Sequence, residues 1–424
     1  MSVRGCVCAA LLVCFARPAQ AQSVFTIDEA VRQAIDRNMT LLAERWNLTI
    51  ADAAIVTARL RPNPVLSGGA NSLDWLGTGF DEINGAGPPE YSVRVDVPFE
   101  RGQKRELRTA VASNAKQVAE AQLADSVRRL QLDVTLAAVD VLEARAKLRL
   151  ARDNQDALQK LVALNERRLT SGAVPPLEVT RSRVAMLQYR SSVTAADLSL
   201  TQARLKIHAL LGRQPSEPLA DISDELGLAP AVTTPALDAV QAAALTNRPD
   251  VRALRSDEAR SQYDLRLQLA QGRVDYTVGA EYRRQQGVNG KGNLAGLFVS
   301  VPLPIFNRNQ GEIARANAEH EKATRSVTAL ETNVSSEVAS AYAEFQSARG
   351  LLADIEAELL KPAADARAGT AYVYQAGATS LVDVLDAQRA FNETMDTYYT
   401  AQAAYRRAEA RLRLTTGVNP ERRP

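Results

Sequence analysis

Ala376 to Ala387 reads AGATSLVDVLDA, and 205 residues upstream Ser171 to Ser182 reads SGAVPPLEVTRS. In each, a run of helix-forming residues stops at a small-Gly-small triplet. It then restarts as an amphipathic helix through Pro or Ser and an acidic residue. Gly172 and Gly377 suit the left-handed position that closes a helix, and Pro175 and Pro176 suit the first turn of the next one. Both stretches are therefore expected to be tight turns between two helices. The rest of the chain reads as two copies of the arms and root of such a hairpin.

Working outward, Gln103 to Thr170 contains neither proline nor glycine, so its 68 residues can form one helix, about 100 Å long at about 1.5 Å per residue. Leu123, Val127, Leu130, Val134, Ala137, Val141, Ala144, Leu148 and Ala151 step by alternating fours and threes, the period of coiled-coil packing. Past the turn, a second helix runs from about Leu177 to Leu211 and stops at Gly212, with Pro215 beyond. Upstream, one helix is expected from Ile27 to about Leu60, with Asp28 and Glu29 in its first turn. A short segment, Val65 to Ala70, and a Gly- and Pro-rich loop with Trp75 and Phe80 follow. Then the period becomes two. Tyr91, Val93, Val95, Val97 and Phe99 point one way, and Ser92, Arg94 and Asp96 the other.

The plan then repeats. Val299 to Pro302 (VSVP) echoes Val95 to Pro98 (VDVP) at an offset of 204, and Gly377 and Gly417 echo Gly172 and Gly212 at 205. Asp275, Thr277, Gly279 and Glu281 alternate with Val274, Tyr276, Val278, Ala280 and Tyr282; Ala295, Leu297, Val299 and Val301 form a further strand. A long helix from about Gln310 to Ala371 and a last one from Leu381 to about Leu414 complete the second copy. The expected organisation is a secretory signal at 1–21, a first repeat at 22–214, a connector at 215–235, a second repeat at 236–417 and a tail at 418–424.

The signal is read from Arg4, the apolar run Gly5 to Phe15 and the Ala19-Gln20-Ala21 cleavage site, leaving Gln22 as mature N-terminus. No later run reaches the roughly 20 apolar residues of a membrane helix. Cys6, Cys8 and Cys14 all lie in the signal, which excludes disulfides and cysteine metal ligands from the mature chain. Beyond Ala21, 49 basic residues balance 49 acidic ones. A neutral chain with few aromatics does not favour nucleic acid as a partner.

Two readings of the strands stand at this level. They could form a small sheet capping a soluble coiled-coil rod. Alternatively their length, near the roughly 9 to 11 residues of a tilted membrane strand, and Tyr91, Phe99, Tyr276, Tyr282 and Phe298 near their ends suit a membrane barrel with an aromatic girdle. Four strands per chain cannot close a barrel, so several copies would each give a share.

The repeat, the strand pairs between long helices and the VDVLDA turn resemble the TolC family of outer-membrane efflux channels over essentially the whole mature chain. Pro98 to Arg105 (PFERGQKR) and Pro302 to Ala316 (PLPIFNRNQGEIARA) are similar to the cobalt-zinc-cadmium type within it. The resemblance implies a mainly α fold with a membrane β-barrel: long helical hairpins in an α-barrel, and four strands per chain in a trimeric, twelve-stranded outer-membrane barrel. It implies a homotrimer reaching into the periplasm, docking on a periplasmic adaptor (membrane fusion) protein and an inner-membrane pump of the resistance-nodulation-division (RND) type. Such a passive duct catalyses nothing and needs no cofactor. Heavy-metal cations are the expected cargo. A duct for drugs or type I secretion, and a secreted coiled-coil scaffold or adaptor without a barrel, are the alternatives.

No convergent set of nucleophile, base and metal ligands is visible. His208 and His320 read as helix-surface or packing residues, and no metal site is expected. Asp383 and Asp386, at i, i+3, fall on one helix face just after the second turn. In the TolC family the matching aspartates line the periplasmic entrance, so the resemblance makes them an entrance selectivity ring of six carboxylates in a trimer. The first hairpin has Glu178 and Arg181 there instead. Tyr374 matches a tyrosine that helps hold the family's entrance shut, and Glu178 its acidic partner, giving a gate of Tyr374 and Glu178. Thr379 stands where TolC has an arginine, so that closing ion pair is not expected. Gly172 and Gly377 mark the adaptor-docking tips.

Overall fold

The structure, a computed structural model, describes residues 24–73, 75–77, 89–227, 235–287 and 290–417. The expected signal, its cysteines and Phe80 lie outside the described residues. The elements run β1 (Val24–Phe25), α1 (Ile27–Arg37), α2 (Met39–Arg59), β2 (Val65–Asn71), β3 (Glu90–Phe99), α3 (Lys104–Thr170), α4 (Pro176–Leu210), β4 (Asp221–Ile222), α5 (Leu237–Asn247), α6 (Pro249–Gln271), β5 (Tyr276–Gly287), β6 (Gly290–Ser300), α7 (Gln310–Asp354), a π-helical turn (Ile355–Leu359), α8 (Leu360–Gln375) and α9 (Leu381–Thr415). They group into two compact units. The first takes in the described parts of Met1–Asn38, Asp133–Pro230 and Gly350–Arg407, the second the described parts of Met39–Leu132, Ala231–Arg349 and Ala408–Pro424.

Two helices are more broken than expected, each for a local reason. Between Ile27 and Leu60 the chain leaves helical geometry at Asn38, whose ψ is 117°. Asn38 Nδ2 donates to the Leu210 carbonyl at 3.2 Å, and Gly212, with φ of 65°, lies so close that a Cβ there would be 2.4 Å from the Arg37 carbonyl oxygen. The second repeat does the same. Arg248, with ψ of 127°, separates α5 from α6, and a Cβ on Gly417 would lie 2.9 Å from Arg248 Cα. The expected helix from Gln310 to Ala371 is instead interrupted by the π turn. Pro362 is the cause: it has no N–H for the Glu358 carbonyl, and its ring would press on that carbonyl in a regular helix. The wider turn just before it absorbs the mismatch.

In the first unit, α3 and α4 run antiparallel, tied by Arg183 to Glu166, Arg152 to Asp197 and Lys206 to Asp140. The predicted seam is the core here: Val134, Ala137, Val141, Leu148 and Ala151 are buried, and Leu158 and Val162 extend it toward the turn. Two buried asparagines interrupt it. Asn154 meets Asn392 and Gln388 of α9, and Asn165 meets Tyr374 of α8. Arg407 of α9 reaches Asp140 and Glu143 of α3. At the other end β1 pairs parallel with β4. Burial opposes the charge on Asp221, but Arg204, the Ile222 N–H and Arg145 together hold its carboxyl below the usual range.

In the second unit, β2, β3, β5 and β6 form an antiparallel sheet in that order. Register places Val95 opposite Ala280 and Arg94 opposite Glu281, so one face carries Tyr91, Val93, Val95, Val278, Tyr282, Leu297 and Val299, all exposed. The other face is polar. Arg94 forks onto Asp96 at 2.8 and 2.9 Å and its guanidinium sits 4.3 Å over the Phe298 ring. Phe298 therefore belongs to the polar face and not to the girdle. Gly279 makes the room: a Cβ would meet Asp96 Oδ1 at 2.3 Å. Phe99 and Tyr276 stack at 5.5 Å on the apolar side.

The two quoted strand-to-helix motifs are junctions. Lys104, almost fully buried, donates to the Arg273 carbonyl and Asp275, and Arg108 clamps Glu100. Asn309, at φ of 65°, donates to the Gln268 carbonyl at 2.8 Å. Gly272 allows the Arg308 carbonyl to approach to 2.9 Å of its missing Cβ. Lys104, Arg108, Gly272 and Asn309 thus join strand to helix, whereas Leu303, Ile305 and Phe306 of the second motif are exposed.

Candidate functional site: the hairpin tips

Both predicted turns close their helices by the same paired hydrogen bonds. Gly172 N–H donates to the Leu169 carbonyl at 2.9 Å and Ala173 N–H to the Arg168 carbonyl at 2.8 Å; Gly377 and Ala378 do the same to Tyr374 and Val373 at 3.0 and 3.1 Å. This pattern demands a left-handed residue at its centre, and Gly172 and Gly377 have φ of 74° and 81°. Among the described residues, and apart from its chain neighbours, nothing lies within 4 Å of a Cβ built on Gly172, and Arg168 Nη2, at 3.9 Å, approaches one on Gly377. The tips are open, and what restricts these positions is backbone conformation.

The helix after the second tip starts on a capping arrangement. Asp383 Oδ2 accepts from Thr379 Oγ1 at 2.6 Å, Ser380 Oγ at 2.7 Å and Ser380 N–H at 3.1 Å, while Asp383 N–H donates back to Ser380 Oγ at 3.3 Å. It is the reciprocal Ser-x-x-acid pattern that satisfies the free N–H groups of a helix start. The Thr379 hydroxyl, then Ser380, hold the Asp383 carboxyl below its ordinary value. Asp386, one turn on, meets Arg389 of its own helix at 3.2 Å, and both are exposed. Thus the two aspartates differ. One is anchored with its charge secured, the other is solvated beside a cation.

Tyr374 and Glu178 are brought together. Tyr374 is 3% exposed, and its hydroxyl lies 2.7 Å from Asn165 Oδ1 and 3.1 Å from Glu178 Oε2. Burial, then the Glu178 charge, push its phenol above the usual value, so it remains a proton donor. Arg168 stands 5.1 Å over the Tyr374 ring and donates from Nη2 to the Gln375 carbonyl at 3.0 Å. Asn165 and Arg168 were not anticipated. Asn165 could have been: Leu158, Val162 and Asn165 continue the seam at steps of four and three. Arg168 carried no signal, because its contact joins residues 207 apart in the chain.

The histidines are packing residues. His208 Nε2 meets the Gln214 carbonyl at 2.8 Å, and His320 Nδ1 meets Ser261 Oγ at 3.1 Å. The Ser261 hydroxyl donates to the Glu258 carbonyl, so this pair is not set up as nucleophile and base. Among the described residues no group of three or more His, Cys, Asp or Glu could hold a metal ion, and no helix is long and apolar enough to cross a membrane.

Comparison with known proteins fits this arrangement. The chain is 27% identical over 372 residues to the cobalt-zinc-cadmium resistance protein CzcC of Cupriavidus metallidurans, covering 88% of this chain and 85% of that protein. It is 26% identical to the nickel-cobalt-cadmium resistance protein NccC of Alcaligenes xylosoxydans xylosoxydans, covering 77% and 72%. Among solved structures, CusC, described in terms of folding and transmembrane channel formation, superposes with a TM-score of 0.75 at 18% identity over 93% of this chain and 92% of that one. The CmeC outer membrane channel of Campylobacter jejuni does so with 0.76 at 11% identity, over 92% and 85%. The outer membrane efflux protein family matches residues 30–213 and 240–418, and the chain belongs to that family of outer-membrane channels.

Proposed function

We propose that three copies of this chain form the exit duct of a tripartite efflux system that carries heavy-metal cations out of the cell. The observation that carries the reading is the sheet. It has two unpaired edges, β2 and β6, and one continuous apolar, exposed face. Open edges are not tolerated in lipid, so such a sheet must close with copies of itself, and three shares give twelve strands. The helices support closure too. On α4, Leu177, Val184, Leu198 and Leu205 are exposed at multiples of seven residues, a second apolar seam beside the buried one through Val179, Leu200 and Ile207. A helix with two seams packs on both sides, as the wall of a tube requires.

On this reading the tips at Gly172 and Gly377 meet a periplasmic adaptor, which links the duct to an inner-membrane RND pump. Asp383 and Asp386 of the three chains form an acidic entrance ring, and Tyr374 with Glu178 forms the gate. The cargo follows from the metal-resistance names of two relatives together with the acidic tip. A conduit needs no tight metal site, since bound cargo must leave. The test is metal tolerance of a strain lacking this chain. Growth should fail at lower cobalt, zinc or cadmium and return with the intact gene. Unchanged metal tolerance with new drug sensitivity would transfer the duct to the drug-export alternative.

A further inference from the structure

The contacts at Tyr374 contain a contradiction that fixes their direction. A phenol carries one proton, yet its hydroxyl faces two acceptors, Asn165 Oδ1 at 2.7 Å and Glu178 Oε2 at 3.1 Å. Meanwhile Asn165 Nδ2 is buried and has no partner, in a residue that is 0% exposed. The two ends of an amide are nearly isosteric, and turning the group by a half rotation exchanges them. Asn165 then donates to Tyr374, freeing the Tyr374 proton for the Glu178 carboxylate. This removes the two-acceptor conflict and makes the bond to Glu178 charge-assisted, while the amide oxygen takes the buried place that Nδ2 held.

A second contact crosses between the same two tips. Arg168 is held by the Gly172 turn, because its carbonyl accepts the Ala173 N–H. From there its guanidinium covers the Tyr374 ring and reaches the Gln375 carbonyl, one of the last acceptors of α8. Its planar fork allows it to stack and donate at once. We propose that Asn165 and Arg168 are positioning residues that turn the Tyr374–Glu178 contact into a directional clasp: Asn165 donates to the Tyr374 hydroxyl, and Arg168, stacked on its ring, ties the two hairpin tips of one chain together. This rests on the reading of the tips as the gate, and it adds Asn165 and Arg168 to that gate.

The test uses the full chain with cysteines at Ala173 and Ala378, both exposed; all three native cysteines lie at positions 6 to 14. Spin labels there, with labelled chains diluted by unlabelled ones, report the distance between tips. The native chain should give one narrow distribution. Arg168→Gln, Glu178→Gln and Tyr374→Phe should each broaden and lengthen it, Arg168→Lys should do so partially, and Arg183→Gln, whose partner Glu166 lies on the same hairpin, should not. A native distribution in folded Arg168→Gln and Glu178→Gln would overturn the clasp. Single-channel conductance of the same variants tests the underlying reading separately. Longer distances with higher conductance support clasp and gate together, and longer distances with native conductance keep the clasp but remove the gate.

Discussion

Asp383 caps the start of α9 and is also one of the two carboxylates of the proposed entrance ring. Its Oδ2 is committed to Thr379 and Ser380, so Asp383→Asn weakens the start of α9 as well as removing charge, whereas Asp386→Asn removes charge and only an exposed pair with Arg389. Asp386→Asn is the cleaner probe of the entrance ring. It should lower cation selectivity, read as reversal potential under a salt gradient, and the effect should shrink as salt screens exposed charge. Within each chain, hydroxyl and N–H donors hold the Asp383 carboxyl below its ordinary value, so removing the Thr379 donor with Thr379→Val should raise the pH midpoint of the selectivity left in Asp386→Asn. The sign follows from linkage. A depressed folded pKa gives stability that is complete above the unfolded value and is lost as pH falls through the folded one. An unchanged midpoint in Thr379→Val would contradict the capping role. Arg248 is a second residue-scale case. It is nearly buried and paired to Asp250 and Glu337, so Arg248→Ala strands a half-buried Asp250 charge and should cost about 3 to 5 kcal/mol, measured by denaturant unfolding.

At the scale of elements, Val95→Lys should cost about 2 to 4 kcal/mol if it lies at mid-membrane, read as loss of outer-membrane assembly, because its side chain is on the apolar face. Arg94 is a poor control for it, since Arg94 holds Asp96 and covers Phe298. Ser92→Lys, on the polar face by register, is the better one and should assemble normally. Much of this level was legible in sequence. Periods of two and three to four gave the strands, the hairpins and the seam, and the glycine turns fell on Gly172, Gly212, Gly377 and Gly417 as read. What escaped depended on distant neighbours. The break at Asn38 answers to Gly212, more than 160 residues away, whereas Arg248 stands before Pro249, a local stop. Phe298 alternated correctly, yet its aromatic character suggested the lipid side, where Arg94 stacking in fact holds it on the polar one. The π turn was readable from Pro362 alone, had the absent N–H been followed to its carbonyl.

For the molecule as a whole, a four-stranded sheet with two free edges and an exposed apolar side is, once in lipid, a fraction of a barrel. The same need for closure explains the exposed heptad seam of α4, which has no use in a lone chain. The most direct measurement is the copy number of the protein extracted by detergent from purified outer membranes, by native mass spectrometry. The account predicts an outer-membrane species of three chains that resists dissociation. A monomer recovered in the soluble periplasmic fraction, or an extracted assembly of any other count, would contradict it.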